Sequence, residues 1–130
     1  MRTLGTCMLA AVMAVSFSLI SAQGVQADEK KTYPALELKD SAADGAKMHN
    51  SEGMKQYKMG MWDKAEMHFA EAVKNDDKSA EAHYNYALSL DKVGKHKDAI
   101  AEFDKALKLD PDNPTIKDSG ILKAHLKMMK

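Results

Sequence analysis

The chain has 130 residues, 19 Lys and Arg against 19 Asp and Glu, and a formal net charge of zero. That length holds one domain, and the balance excludes the basic footprint by which nucleic acid or an anionic bilayer is gripped. Arg2 is the only arginine and Cys7 the only cysteine, so the rest of the chain has no guanidinium fork for phosphate, no disulfide and no thiol nucleophile.

Residues 1–27 read as a secretory signal. Arg2 starts a short positive region, residues 8–20 are an apolar run, and Val25-Gln26-Ala27 offers a small-x-small site before the charged Asp28. Cleavage after Ala27 is expected, with delivery to a bacterial periplasm or the exterior. The apolar run is short of the ~20 residues a bilayer span needs, so no stable membrane insertion is expected once the signal is cut. Residues 28–40 are charged and lack periodicity around Tyr33-Pro34, which predicts a flexible linker.

From residue 41 the pattern is helical. Ser41-Ala42-Ala43-Asp44 resembles a capping box, with Asp40 or Ser41 as the cap, and the first helix runs to Gly60, a C-terminal stop. Gly45 and Gly53 each weaken it by ~1 kcal/mol relative to Ala. Helix two carries Trp62, Ala65, Phe69, Ala72 and Val73 at i, i+3, i+4 spacing. Ser79 caps helix three, which presents His83, Tyr86, Ala87, Leu90 and Val93 before Gly94. Helix four repeats the stripe with Ala99, Ile100, Phe103, Ala106 and Leu107, and Asp110-Pro111 ends it. Asn113 then caps, with Pro114 at the first position, a fifth helix predicted over residues 114–129. No stretch alternates as a strand would, so the fold class is all-α.

Residues 46–79 and 80–113 are copies offset by 34: Ala46/Ala80, His49/His83, Gly60/Gly94, Ala65/Ala99, Phe69/Phe103, Ala72/Ala106 and Asp76/Asp110. A fixed period of this size means stacked helical units that bury their apolar faces on each other. On these residues the chain resembles the tetratricopeptide repeat family. The matching positions are Gly53, Gly60, Ala65, Phe69 and Ala72 in the first copy, and Ala87, Gly94, Ala99, Phe103, Ala106 and Pro111 in the second. The first copy departs at Glu52, Gln56 and Asp77, and Tyr57 is the aromatic beside Gln56.

The resemblance implies a short right-handed α-solenoid of two helix-turn-helix repeats closed by a cap helix over residues 114–129, within a domain spanning 41–130. It implies a non-enzymatic interaction scaffold or assembly factor that captures a peptide or partner helix. The implied concave-face residues are Asn50, Met54, Tyr57, Lys58, Tyr84, Asn85, Leu88 and Lys92, with Asp91 and His125 on the same side. The family's carboxylate clamp is not reproduced: only Asn85 matches, and Asn50, Met54, Thr115 and Ser119 stand at the other positions.

Catalytic motifs are missing from the sequence: no HExxH and no Gly-rich phosphate loop. Met48-His49, Met54, Met59, Met61 and Met67-His68 offer thioether and imidazole groups suited to copper, the alternative function. Their irregular spacing favours packing in the core instead, so neither a metal nor a cofactor is expected. The expected partner is a protein or peptide, with self-association through the open end of the array as a further alternative.

Overall fold

The computed structural model describes residues 31–128. The predicted signal and its cut after Ala27, residues 28–30 of the predicted linker and residues 129–130 lie outside the described residues. Among the described residues six helices form: α1 (Asp44–Lys58), α2 (Trp62–Asn75), α3 (Ala80–Lys92), α4 (His96–Leu109), α5 (Pro114–Lys117) and α6 (Gly120–Met128). Among the described residues there is no strand. The four long helices pack chiefly on their neighbours in the sequence, α1 on α2, α2 on α3 and α3 on α4, and α5 and α6 both close on α4. This is the nearest-neighbour stacking of a helical solenoid.

The two repeat turns are built alike. Gly60 has φ 74° and Gly94 φ 85°, left-handed values that glycine adopts without the Cβ penalty. Behind each, the following residue reaches five back, Met61 N–H to Gln56 O (2.9 Å) and Lys95 N–H to Leu90 O (2.8 Å). The glycines bond three back, to Tyr57 O and Asp91 O, which completes a Schellman end in both repeats.

Small residues let the helices close on aromatic rings. Ala65, Phe69 and Ala72 of α2 and Ala99, Phe103 and Ala106 of α4 are all fully buried. Tyr57 meets Trp62 edge-on at 5.0 Å between ring centroids, and Tyr84 meets Phe103 at 5.6 Å. Tyr57 thus supplies the aromatic that Gln56 does not. Gly53 is needed for contact and not for conformation, since a Cβ there would stand 2.7 Å from two carbons of Phe69.

A buried polar strut crosses the second repeat. His83 directs Nε2 to Asp77 O at 2.8 Å and Nδ1 to the Glu102 carboxylate, which Lys105 also holds at 2.7 Å. Both ring nitrogens face acceptors, the arrangement of an imidazolium. Burial alone would lower the His83 pKa, but the Glu102 bond, the Asp77 carbonyl and the Glu102 charge together raise it.

Two predicted boundaries move. The first helix starts at Asp44 with Ala43 as its cap and no side-chain bond there; the Ala43 N–H instead donates to Asp76 Oδ2 at 3.3 Å. The single helix predicted over 114–129 is broken in two at Asp118-Ser119. Asn113 caps α5 as expected, accepting from the Thr115 and Ile116 amides. After one turn, however, the Ser119 hydroxyl is engaged by Tyr84 Oη at 2.8 Å, and Ser119 O receives the Lys123 amide that opens α6.

Candidate functional site

Asn50 on α1 and Asn85 on α3, both expected on the concave side, bond each other, Asn85 Nδ2 to Asn50 Oδ1, at 2.7 Å. Both side chains are buried, and a buried amide must find partners for its donors and acceptor. They find them in Leu36. The Leu36 N–H donates to Asn85 Oδ1 at 2.7 Å, and the Leu36 carbonyl accepts from Asn85 Nδ2 at 2.7 Å and Asn50 Nδ2 at 3.0 Å. Asn85 therefore pairs with one residue's main chain at both donor and acceptor, as a neighbouring strand would.

The stretch predicted to be a flexible linker is, over residues 31–39, laid along α3. Lys92 Nζ reaches Lys31 O at 3.4 Å, Asn85 holds Leu36, and Lys39 Nζ lies 2.8 Å from Asp110 and 3.7 Å from Glu81. The order Lys92, Asn85, Glu81 against 31, 36, 39 means that the segment runs antiparallel to the helix. Tyr33, Ala35 and Leu36 pack against the main core, while Pro34 and Glu37 face solvent. Tyr33 rests on Gly120, where a Cβ would come within 2.9 Å of its hydroxyl. Composition pointed to a linker because the charges of this stretch are in plain view, whereas its amide partners are far away in sequence.

The structure brings together most of the residues expected on this face. Met54, Tyr57, Tyr84 and Leu88 belong to one buried cluster, beside which Asn50 and Asn85 hold Leu36. Lys92 lies at the groove's end, its ammonium 5.5 Å from the centre of the Trp62 ring. Lys58 is exposed and takes no part in these contacts. Tyr33 and Leu36, as groove occupants, had no local signal. Their only trace in the sequence was the Tyr-Pro-Ala-Leu cluster within an otherwise charged stretch.

A second cluster closes the far end of the groove. Asp91, in the last turn of α3, has Oδ1 2.9 Å from His96 Nδ1 and 2.9 Å from His125 Nε2. His125 donates through Nδ1 to Ile121 O at 2.9 Å. Burial would raise the Asp91 pKa, but the two imidazoles hold it below the ordinary value. Burial pushes the Tyr57 hydroxyl up, with Tyr84 and Asp91 adding to the effect, and that hydroxyl is buried with no partner.

Among the described residues the thioether groups do not gather. Met54 is buried in the core, but Met48, Met59, Met61 and Met67 are exposed, so the expected gap-filling role applies to Met54 alone. His49 and His68 stack at 5.9 Å on the other side of α1 and α2, beside Met48 and Glu52 in a shallow depression. No described helix is long and apolar enough to cross a membrane.

The family model for the tetratricopeptide repeat matches residues 51–114, the span from the middle of α1 to the start of α5. No curated protein matches the sequence.

Proposed function

For this chain, a tetratricopeptide repeat protein, we propose the role of a periplasmic scaffold or assembly factor that captures an extended peptide in its concave groove. The family is one of protein-interaction modules, and its fold is typically a non-enzymatic scaffold. The observation that supports the finer reading is the pair of hydrogen bonds between the Asn85 amide and the Leu36 main chain. A groove that grips backbone at donor and acceptor is indifferent to most side chains. The neighbouring buried surface of Met54, Tyr57, Tyr84 and Leu88 then selects for aromatic and aliphatic anchors, as in strand-like peptide recognition. The partner's segment would resemble residues 33–38: an aromatic anchor, a small residue, and a leucine seated at the paired asparagines. Because the chain's own segment holds that place, a partner must displace it.

The test uses a labelled peptide of residues 31–39. It is expected to bind a Leu36→Asp variant, whose own segment is expelled, far more tightly than it binds the unmodified protein. Adding Asn85→Ala to that variant is expected to abolish the binding. If the peptide fails to bind Leu36→Asp while far-UV circular dichroism shows the helices intact, the groove reading is wrong.

A further inference from the structure

We propose that Asp91, His96 and His125 form a binding site for a divalent transition-metal ion of the zinc class, joining the α3–α4 turn to the cap helix α6. The three side chains each offer one ligand atom, and these atoms all lie within 4.8 Å of one another. Two imidazoles and a carboxylate are a donor set that suits zinc, and three protein ligands leave a position for water.

The tautomer of His125 is the strongest argument. Its Nδ1 lies 2.9 Å from the Ile121 carbonyl, so that nitrogen carries the proton, and a neutral ring then points the Nε2 lone pair outward. A backbone carbonyl bound to the far nitrogen is the usual way a metal-binding histidine is oriented. Here Nε2 faces Asp91 Oδ1 at 2.9 Å but out of line for a hydrogen bond, and it counts as a buried nitrogen without a partner. A lone pair set against a carboxylate oxygen is repulsive unless a cation stands with them. His96 Nδ1 approaches the same oxygen from the solvent side. In a tetrahedral zinc site with bonds of ~2.0–2.1 Å, ligand atoms stand ~3.3 Å apart, so the two 2.9 Å distances to Asp91 Oδ1 need to open by only a few tenths of an ångström, and the two imidazole nitrogens already lie within 4.8 Å.

The surroundings fit an ion as well. His125 is buried and Asp91 largely so, while the His96 side chain is 60 % exposed, which provides an entry path and a ligand free to turn. The remaining histidine pair, His49 and His68, has no third ligand of this kind among the described residues.

The experiment is zinc titration of the tag-free protein by calorimetry, with thermal unfolding followed in parallel. One Zn2+ per chain is expected, with a melting temperature that rises with zinc concentration. His96→Gln, at an exposed position, is expected to keep the fold and weaken binding at least about tenfold, as loss of a ligand or its support does. Asp91→Asn is expected to do the same, and a His49→Gln/His68→Gln double variant to leave binding unchanged. No zinc binding, binding undiminished in His96→Gln, or binding lost in the His49/His68 variant instead would each overturn the proposal; in the first case a proton alone accounts for the cluster.

Discussion

Replacing Gly53 by Ala sets two effects of opposite sign against each other. By helix propensity the change stabilises α1 by ~1 kcal/mol. In the folded array the new methyl would stand 2.7 Å from Phe69 Cδ1 and Cε1 and 3.2 Å from Cγ, inside any tolerable carbon–carbon contact. Phe69 is fully buried and braced by Tyr57, 6.2 Å away between ring centroids, so the ring has nowhere to retreat. Overpacking of this kind costs ~1–3 kcal/mol, and the net expectation is a loss of ~1 kcal/mol. For a domain of this size that lowers the melting temperature by ~4–8 °C. Gly45→Ala is the matched control. Its methyl would meet Asn75 Oδ1 at 2.5 Å, but Asn75 is exposed and its amide can swing aside. That variant is expected to be neutral or to gain up to ~1 kcal/mol. Urea unfolding followed by far-UV circular dichroism measures both. A Gly53→Ala protein as stable as the original would refute the close-approach argument.

At Gly94 a Cβ would meet nothing within 4 Å but φ is +85°, so Gly94→Ala is expected to cost only the left-handed strain, ~1 kcal/mol, in the same unfolding assay. Tyr84→Phe leaves the buried Ser119 hydroxyl without its partner and is expected to cost ~1–3 kcal/mol; Tyr84→Phe with Ser119→Ala is expected to cost less than the sum of the two singles. The His83–Glu102 pair predicts a stability maximum at mildly acidic pH. His83 has a raised folded pKa, so its contribution is complete below the unfolded value of about 6.5 and is lost as pH rises through the folded one. Glu102 is the reverse: burial opposes but the His83 and Lys105 bonds win and lower its pKa, so its contribution is lost only as pH falls through that lowered value. Unfolding free energy measured across this range should fall from mildly acidic to alkaline pH, and His83→Gln should flatten the fall; an unchanged slope would show that His83 is neutral in the fold.

The repeat architecture was legible because its determinants are local and periodic. Gly60 and Gly94 mark the turns by themselves, since only glycine takes their φ without strain. Ala65/Phe69/Ala72 and Ala99/Phe103/Ala106 show the buried stripes through helical spacing alone. Ser79 and Asn113 announce the helices they cap. The concave residues Asn50, Tyr84, Asn85 and Leu88 could be placed on one face because two copies of one unit share one geometry. Gly53 was legible as a propensity cost and as a repeat position, but its contact with Phe69, a ring on another element, was not.

What tertiary structure decided is what depends on residues far apart in the chain. Leu36 meets Asn85 across 49 residues, and no window of sequence holds both, so residues 31–39 carried the composition of a linker while fitting a groove. The break at Asp118-Ser119 follows from Tyr84 and Tyr33, which reach the cap from α3 and from the groove; Pro114 and the apolar positions after it gave no sign of it. The Asp91–His96–His125 cluster is of the same kind. Its ligands come from three helices, and only the Gly94 turn and the return of α6 bring them together. Helical periodicity wrote the array into the sequence, and the pairing of buried polar groups, which has no period, was settled only when the helices were stacked.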